Sequence, residues 1–423
     1  METPIHDFLT GYAAKEPVRL HMPGSKGLEY PFDITEIEGA DVLYESGGII
    51  RRSEENAAGL FGAAETCYSC GGATLAVQAM IYAACAVSGN RKIAAGRFSH
   101  RSLVSAAVLL GLDISFVYPD EFPGCRIPPE RADAAIDDDT AALFVNSVDY
   151  LGGEADIPAL AEVCRRRGVL LIVDNAHGAY KVFTGDHPIT RGADMTADSA
   201  HKTLPAMTGA AYLHMADRRF YNAAKEGMAL FGSSSPSYLM LDSLDLCNRF
   251  ISDERERALG TISRIGELRE ELMSYGIPLR GSDAMRITID AAAYGYTGEE
   301  LAALMRAGGA ECEMGADGYT VLLFSVIQPE SDMARAAEIL RSIPAREPGK
   351  PEKIPVIRPE KVMSPREAFL SRRGRGEGDI CAEICSPCPP CVPVIIPGER
   401  LTPEISAVLK RYGVERIMTT SGK

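Results

Sequence analysis

Between about residues 66 and 215, short β-rich apolar runs alternate with helical stretches, the pattern of a mostly parallel sheet covered by helices. The candidate strands are Lys92-Ile93-Ala94-Ala95, Ile114 to Tyr118, Ala142 to Asn146 and Val169 to Asp174, mostly separated by segments long enough for crossovers. In open sheets of this kind ligands gather at the carboxyl ends of strands, which directs attention to Asn146, Asp174 and the residues after them. From about residue 250 the texture changes. A charged helix is predicted over Ser252 to Tyr275, then a strand over Met285 to Asp290, a helix from Thr297 to Ala307, strands at Glu311 to Met314 and Thr320 to Val326, and a helix from Ser331 to Ser342. Five prolines among charged residues at 344–359 read as an extended linker, and a last amphipathic helix is predicted near Pro403 to Tyr412. Three parts are therefore expected: residues 1–249 as an N-terminal segment and large α/β domain, 250–343 as a small α+β domain, and 344–423 as linker and C-terminal segment.

Composition narrows the function classes. With 423 residues, 46% hydrophobic and 24% charged, the chain can bury a large core. A net charge of −14 is poor electrostatics for nucleic acid or anionic lipid, so neither is an expected partner. No basic flank and apolar stretch opens the chain, no run is long enough to span a bilayer, and the eleven cysteines are scattered and clustered without a disulfide pattern. The expectation is a soluble cytoplasmic protein acting on a small molecule.

Three segments carry chemistry. Asp198-Ser199-Ala200-His201-Lys202-Thr203-Leu204 places a lysine among small, hydroxyl and imidazole groups; a partly desolvated lysine can form a Schiff base, with Ser199 and His201 as phosphate donors, although an exposed turn explains the segment equally well. Val173-Asp174-Asn175-Ala176-His177-Gly178 puts a carboxylate at the end of an apolar strand, where burial demands a cationic partner such as a protonated pyridine nitrogen, or where the Asp simply caps a helix. Ser69-Cys70-Gly71-Gly72-Ala73-Thr74 precedes the apolar helix Leu75 to Val87, whose unpaired N–H groups would face an anion; a glycine pair before a helix is also a common tight turn. His100, in Phe98-Ser99-His100-Arg101-Ser102, has the shape to stack on a planar ring or to serve as a structural histidine.

In that order, anion loop, histidine, strand-end aspartate and lysine resemble a fold-type I pyridoxal 5'-phosphate (PLP) enzyme. The segments His21-Met22-Pro23-Gly24-Ser25-Lys26-Gly27, Asp33 to Ile37, Ser234-Ser235-Pro236-Ser237-Tyr238, Ser364 to Ala368, Cys388-Pro389-Pro390-Cys391-Val392-Pro393 and Pro397-Gly398-Glu399 sharpen this to a resemblance to the bacterial ornithine/lysine/arginine decarboxylases, from about residue 19 to 400. The resemblance implies an aminotransferase-like large domain with a small α+β domain, and PLP as cofactor. It further implies Lys202 as the Schiff-base lysine, Asp174 on the pyridine nitrogen and His100 and Ala176 on the two ring faces. Gly72, Ala73, Thr74, Ser199 and His201 would hold the phosphate, with His177 also at the cofactor. In the family the site lies at a dimer interface, and the Ser233 to Tyr238 segment, with Ser234, is expected to reach the neighbouring subunit's phosphate, so a homodimer or larger even assembly follows.

The implied reaction is decarboxylation of arginine, lysine or ornithine to its amine; an aminotransferase, another lyase or a non-catalytic homologue are the alternatives. This chain departs from the family where it has Ser25 for histidine, Asn175 for glutamate, Ala73 for a hydroxyl residue, Cys391 for glycine and Tyr44 for a common histidine. Glu399 is a candidate for meeting the substrate's distal group. Cys381, Cys385, Cys388 and Cys391 have spacing suggestive of thiolate ligation, but the proline-rich turn exists in the family without metal and Cys381 falls on a helix-like stretch, so no metal is expected.

Overall fold

The structure is a computed structural model that describes residues 1–349, 354–376, 378–386 and 392–421. Its described residues pack into two units, each drawn from separate stretches: Met1–Ser88, Leu170–Thr261 and Ser325–Ile327 in the first, Gly89–Val169, Ile262–Phe324 and Gln328–Lys423 in the second. We propose that the parts able to fold on their own divide at 249/250 and 343/344. The strands of the large-domain pattern are β1 (Glu65–Ser69), β2 (Lys92–Gly96), β3 (Asp113–Val117), β4 (Thr140–Asn146), β5 (Leu170–Asp174), β6 (Met195–Asp198) and β7 (Ala211–Met215).

In the first unit the strands run in the order β5-β6-β7-β1. The continuous apolar run Leu170-Leu171-Ile172-Val173 suits a strand covered on both faces. It lies parallel to β6 with Val173 opposite Thr196 and Asp174 opposite Ala197, while β7 is antiparallel to both β6 and β1. Because β5 and β6 are parallel, the loops that follow them, Asn175 to Gly178 and Ser199 to Lys202, emerge at the same edge. The helix Gly72–Ser88 packs over β5, β6 and β7 and against the helix Tyr221–Phe231. The two helices approach closely at Gly227, where a Cβ would stand 3.0 Å from the Cα of Ala79.

In the second unit β2 lies between β4 and β3 and is parallel to both, so the pairings of the large-domain strands are mostly parallel, as the alternating pattern predicts. A smaller antiparallel sheet runs Met314–Ala316, Tyr319–Leu323, Arg286–Asp290 and Leu279–Arg280, with the helices Gly298–Ala307 and Glu330–Ser342. Thr297 and Glu300 close the first of these helices with a reciprocal capping box. The strand expected at Glu311 to Met314 begins instead at Met314. The Asp317-Gly318 turn has positive φ at both residues, which sets a tight hairpin and fixes the register Met314 to Val321.

Two other expectations are corrected. The helix expected over Ser252 to Tyr275 is found as Arg255–Ser274, but its start is later: Ser252 and Asp253 end the preceding helix Tyr238–Asp253, and Glu254, with φ −113° and ψ 24°, parts the two. Cys381 is not helical but ends the short strand Ile380–Cys381, paired with Thr419 and Thr420 in a three-stranded sheet; tertiary pairing overrides local pattern in so short a segment. Cys385 forms an isolated bridge to Ile395, and Cys388 and Cys391 lie outside the described residues. Among the described residues no helix is long and apolar enough to cross a membrane.

Candidate active site

The first unit brings the lysine and the aspartate loops together. Lys202 Nζ lies 2.9 Å from His177 Nε2, linking the segment after β6 to the segment after β5. Asp174 is buried at the end of β5, and its Oδ1 accepts the Ala176 N–H at 3.1 Å. Burial pushes this carboxyl up to about 6, a rise that the Lys202 charge and the Ala176 N–H reduce and the Asp198 charge augments. A buried carboxylate held this high is one whose present surroundings undercompensate its charge. It would gain from a cation placed against it, which is what a protonated pyridine nitrogen provides, so the residues fit PLP.

One turn organises the segments expected to hold a phosphate. Gly209 accepts the Gly72 N–H at 2.8 Å and gives its own N–H to His201 Nδ1 at 3.3 Å, so the start of the helix Gly72–Ser88 and the lysine segment are fastened to the same residue. Gly72 has φ +66° and Gly209 φ +93°, conformations that glycine adopts without strain. Ser69 Oγ bonds the Gly72 carbonyl, which shapes the turn before the helix, and Ala73 and Thr74 follow in its first turn, where N–H groups lack helical acceptors. Burial lowers His201, favouring its neutral form. Ser199 is buried at the head of the short Ala200–Thr203 helix and its carbonyl accepts the Lys202 N–H.

The other expected residues sit on separate elements. Ser234 is exposed in the first unit, in the turn before Tyr238–Asp253. His100 belongs to the second unit, where it caps the helix Arg101–Leu110 by accepting the Ser102 N–H at Nδ1. Glu399 is also in the second unit. Its carboxylate is buried against Arg97 at 3.0 Å and accepts the Ile396 N–H, so its charge is already matched by a structural ion pair.

Three of the departures from the family pattern have the following structural surroundings. Ser25 Oγ donates to Asp33 at 2.8 Å on an exposed segment. Tyr44 lies over the backbone of Gly232, where a Cβ would come within 2.1 Å of the phenol oxygen. Asn175 is buried and gives its amide to Asp198 at 2.6 Å. Asp198 is a residue that the sequence reading passed over, although a carboxylate at the end of a buried strand and beside Ser199 was a visible signal.

Residues 3–293 match the family described as Orn/Lys/Arg decarboxylase, major domain. The chain belongs to the Orn/Lys/Arg decarboxylase family. It is an enzyme of the decarboxylase class. Over 97% of its length it is 29% identical to the arginine decarboxylase of Bacillus subtilis (strain 168), of which it covers 93%, and 28% identical to the uncharacterized protein YaaO of the same organism, covering 94%. The lysine decarboxylase LdcF of Francisella novicida superposes with a TM-score of 0.79 at 16% identity, over 97% of this chain and 77% of that one, a likeness of fold. Family membership thus agrees with the fold-type I resemblance read from the Lys202, Asp174 and Gly72 segments.

Proposed function

We propose that the protein is a PLP-dependent decarboxylase of a basic amino acid, with arginine ahead of lysine and ornithine. The observation that carries the chemistry is the buried Asp174 carboxylate, raised to about 6, at the end of the strand parallel to the one that delivers Lys202. When bound, the cofactor supplies a sink for the electron pair left by the departing carboxylate. Lys202 Nζ would anchor it covalently and give way to the substrate amine. His177 Nε2, 2.9 Å from that nitrogen, is placed to take up and return its proton. Asp174 would hold the ring nitrogen in its protonated state. Gly72, Ala73, Thr74, Ser199 and His201 would bind the phosphate, and His100 and Ala176 would flank the ring, as the family resemblance implies.

Support for arginine comes from the relative of that name, which matches along nearly the whole chain. The family resemblance also supports a cytoplasmic homodimer in which Ser234 of one subunit serves the partner's site. Against a non-catalytic homologue, the chain retains Lys202 and Asp174. The test has two parts. Borohydride reduction of the PLP-loaded protein should leave a covalent adduct on Lys202 that Lys202→Ala abolishes. The loaded enzyme should release carbon dioxide and agmatine from arginine, or the matching diamine from lysine or ornithine. An adduct on another lysine overturns the site, and keto acid without carbon dioxide overturns the reaction.

A further inference from the structure

Behind the Lys202 and Asp174 loops, the first unit buries a cluster of polar side chains with no access to solvent: Asn175, His187, Asp198 and His214. His187 Nε2 lies 2.8 Å from Asp198 Oδ2, and the Asn175 amide nitrogen lies 2.6 Å from the same oxygen and 3.0 Å from His187 Nε2. His214 is held by Thr66 at 2.8 Å and stacks on Phe61 with ring centroids 4.1 Å apart. The ligand-type atoms of His187, Asp198 and His214 lie within 4.8 Å of one another, a spacing that raises the question of a metal ion. The hydrogen bonds answer it differently. His187 Nδ1 accepts the Ile189 N–H, which leaves the proton on Nε2 and aims it at Asp198, so a cation would have to displace a bond already made.

What the cluster joins is informative. Asn175 directly follows Asp174, and Asp198 stands four residues before Lys202 at the end of the neighbouring strand. The Asn175 N–H also donates to the Ala197 carbonyl at 2.9 Å, so backbone and side chain fasten the same two loops. This chain has Asn175 where the family reads glutamate, and the buried carboxylate of its cluster is that of Asp198. We propose that Asp198 is a positioning residue, whose carboxylate, held by His187, ties the Asp174 loop to the Lys202 loop through Asn175 and so fixes the two groups that would meet the cofactor ring. The proposal rests on the reading of these loops as a PLP site.

Full-length protein stripped of cofactor and titrated with PLP tests it, with three variants: Asp198→Asn, Asn175→Ala, and the exchange Asn175→Asp with Asp198→Asn. His187 Nε2 is within reach of both positions, so the exchange keeps one carboxylate and one amide around it. Each single variant should raise the PLP Kd by about tenfold or more and alter the induced circular dichroism per bound PLP, and the exchange should return the Kd to within about threefold of wild type. A merely structural role would lower the melting temperature of the apoprotein and leave the Kd and dichroism of the folded fraction unchanged. That result, or an exchange no better than Asp198→Asn alone, overturns the proposal. If Asp198→Asn does not fold, Asn175→Ala decides, since it removes the tie and spares the carboxylate. Wild-type protein that takes up no PLP overturns the functional reading and this inference together, whereas normal uptake by wild type and variants alike overturns this inference only.

Discussion

Asp174 gives the apoprotein a pH signature. Its folded-state pKa, near 6 because burial penalises the charge, lies above the ordinary carboxylate value of 3.8, so between those limits the folded protein binds more protons than the unfolded chain. Stability from this group is therefore full below about pH 4 and lost as the pH rises through 6, and at neutral pH the buried charge costs about 3 kcal/mol, two units at roughly 1.4 kcal/mol each. Without cofactor, Asp174→Asn should be more stable than wild type at pH 7.5 by up to that amount and equal to it near pH 4, while binding PLP less well. Urea denaturation across pH 4 to 8 measures this; a difference that does not vary with pH would remove Asp174 from the account. At this scale the sequence disclosed Asp174, at the end of β5, and Lys202, in the short helix after β6. It did not disclose the bond between Lys202 and His177, because residues 25 apart meet only through the parallel register of β5 and β6. Asp198 was visible as a strand-end carboxylate, but its partners Asn175 and His187 were not, since they come from separate stretches of chain.

Among the elements, the strands with continuous apolar runs and the helix Gly72–Ser88 were readable from pattern because burial on every side leaves its mark on nearly every position. The strand at Cys381 was not, since it is decided by pairing with distant chain, and neither was the break at Glu254. One tie between elements has a testable energy. The helix Ile49–Phe61 is fastened to the helix Tyr221–Phe231 by a buried ion pair, Glu54 with Lys225 at 2.7 Å, and Glu54 also accepts the Tyr68 N–H of β1. Glu54 pushes the Lys225 ammonium up to about 12 against the opposing effect of burial, while burial raises the Glu54 carboxyl in spite of Lys225. Removing one partner strands the other: Lys225→Met should destabilise the protein by about 3–5 kcal/mol. Adding Glu54→Gln should recover much of the loss, because the orphaned charge is gone and only a neutral amide needs partners. A double variant as unstable as Lys225→Met, by denaturant unfolding, would show that packing rather than charge governs this junction.

For the whole molecule, the N-terminal segment points outward in an unusual way. Within thirteen residues, Val18, Leu20, Met22, Leu28 and Tyr30 are 85, 91, 71, 91 and 57% exposed. The segment is nonetheless anchored: Tyr12 pairs with His21 at 2.8 Å, Thr35 donates to the Met22 carbonyl at 3.0 Å, and Ser25 to Asp33. Anchored backbone that presents apolar side chains to water is the mark of a surface that gains by being covered, and we propose a second copy of the chain as the cover. A net charge of −14 on each chain opposes association, so burial of apolar surface has to outweigh that repulsion. Burying a leucine is worth about 1.5–3 kcal/mol, and a two-fold interface counts each side chain twice. Leu20→Glu with Leu28→Glu should therefore raise the dimer Kd by at least about a thousandfold, since four buried leucines become four like charges. Sedimentation velocity at micromolar concentration should show wild type as a dimer and the variant as a monomer. If Ser234 serves the partner's phosphate, the monomeric variant should also hold PLP more weakly, although neither substituted residue is assigned a cofactor contact. A variant that stays dimeric with wild-type affinity would mean that the subunits meet through another face and that this segment awaits a different partner.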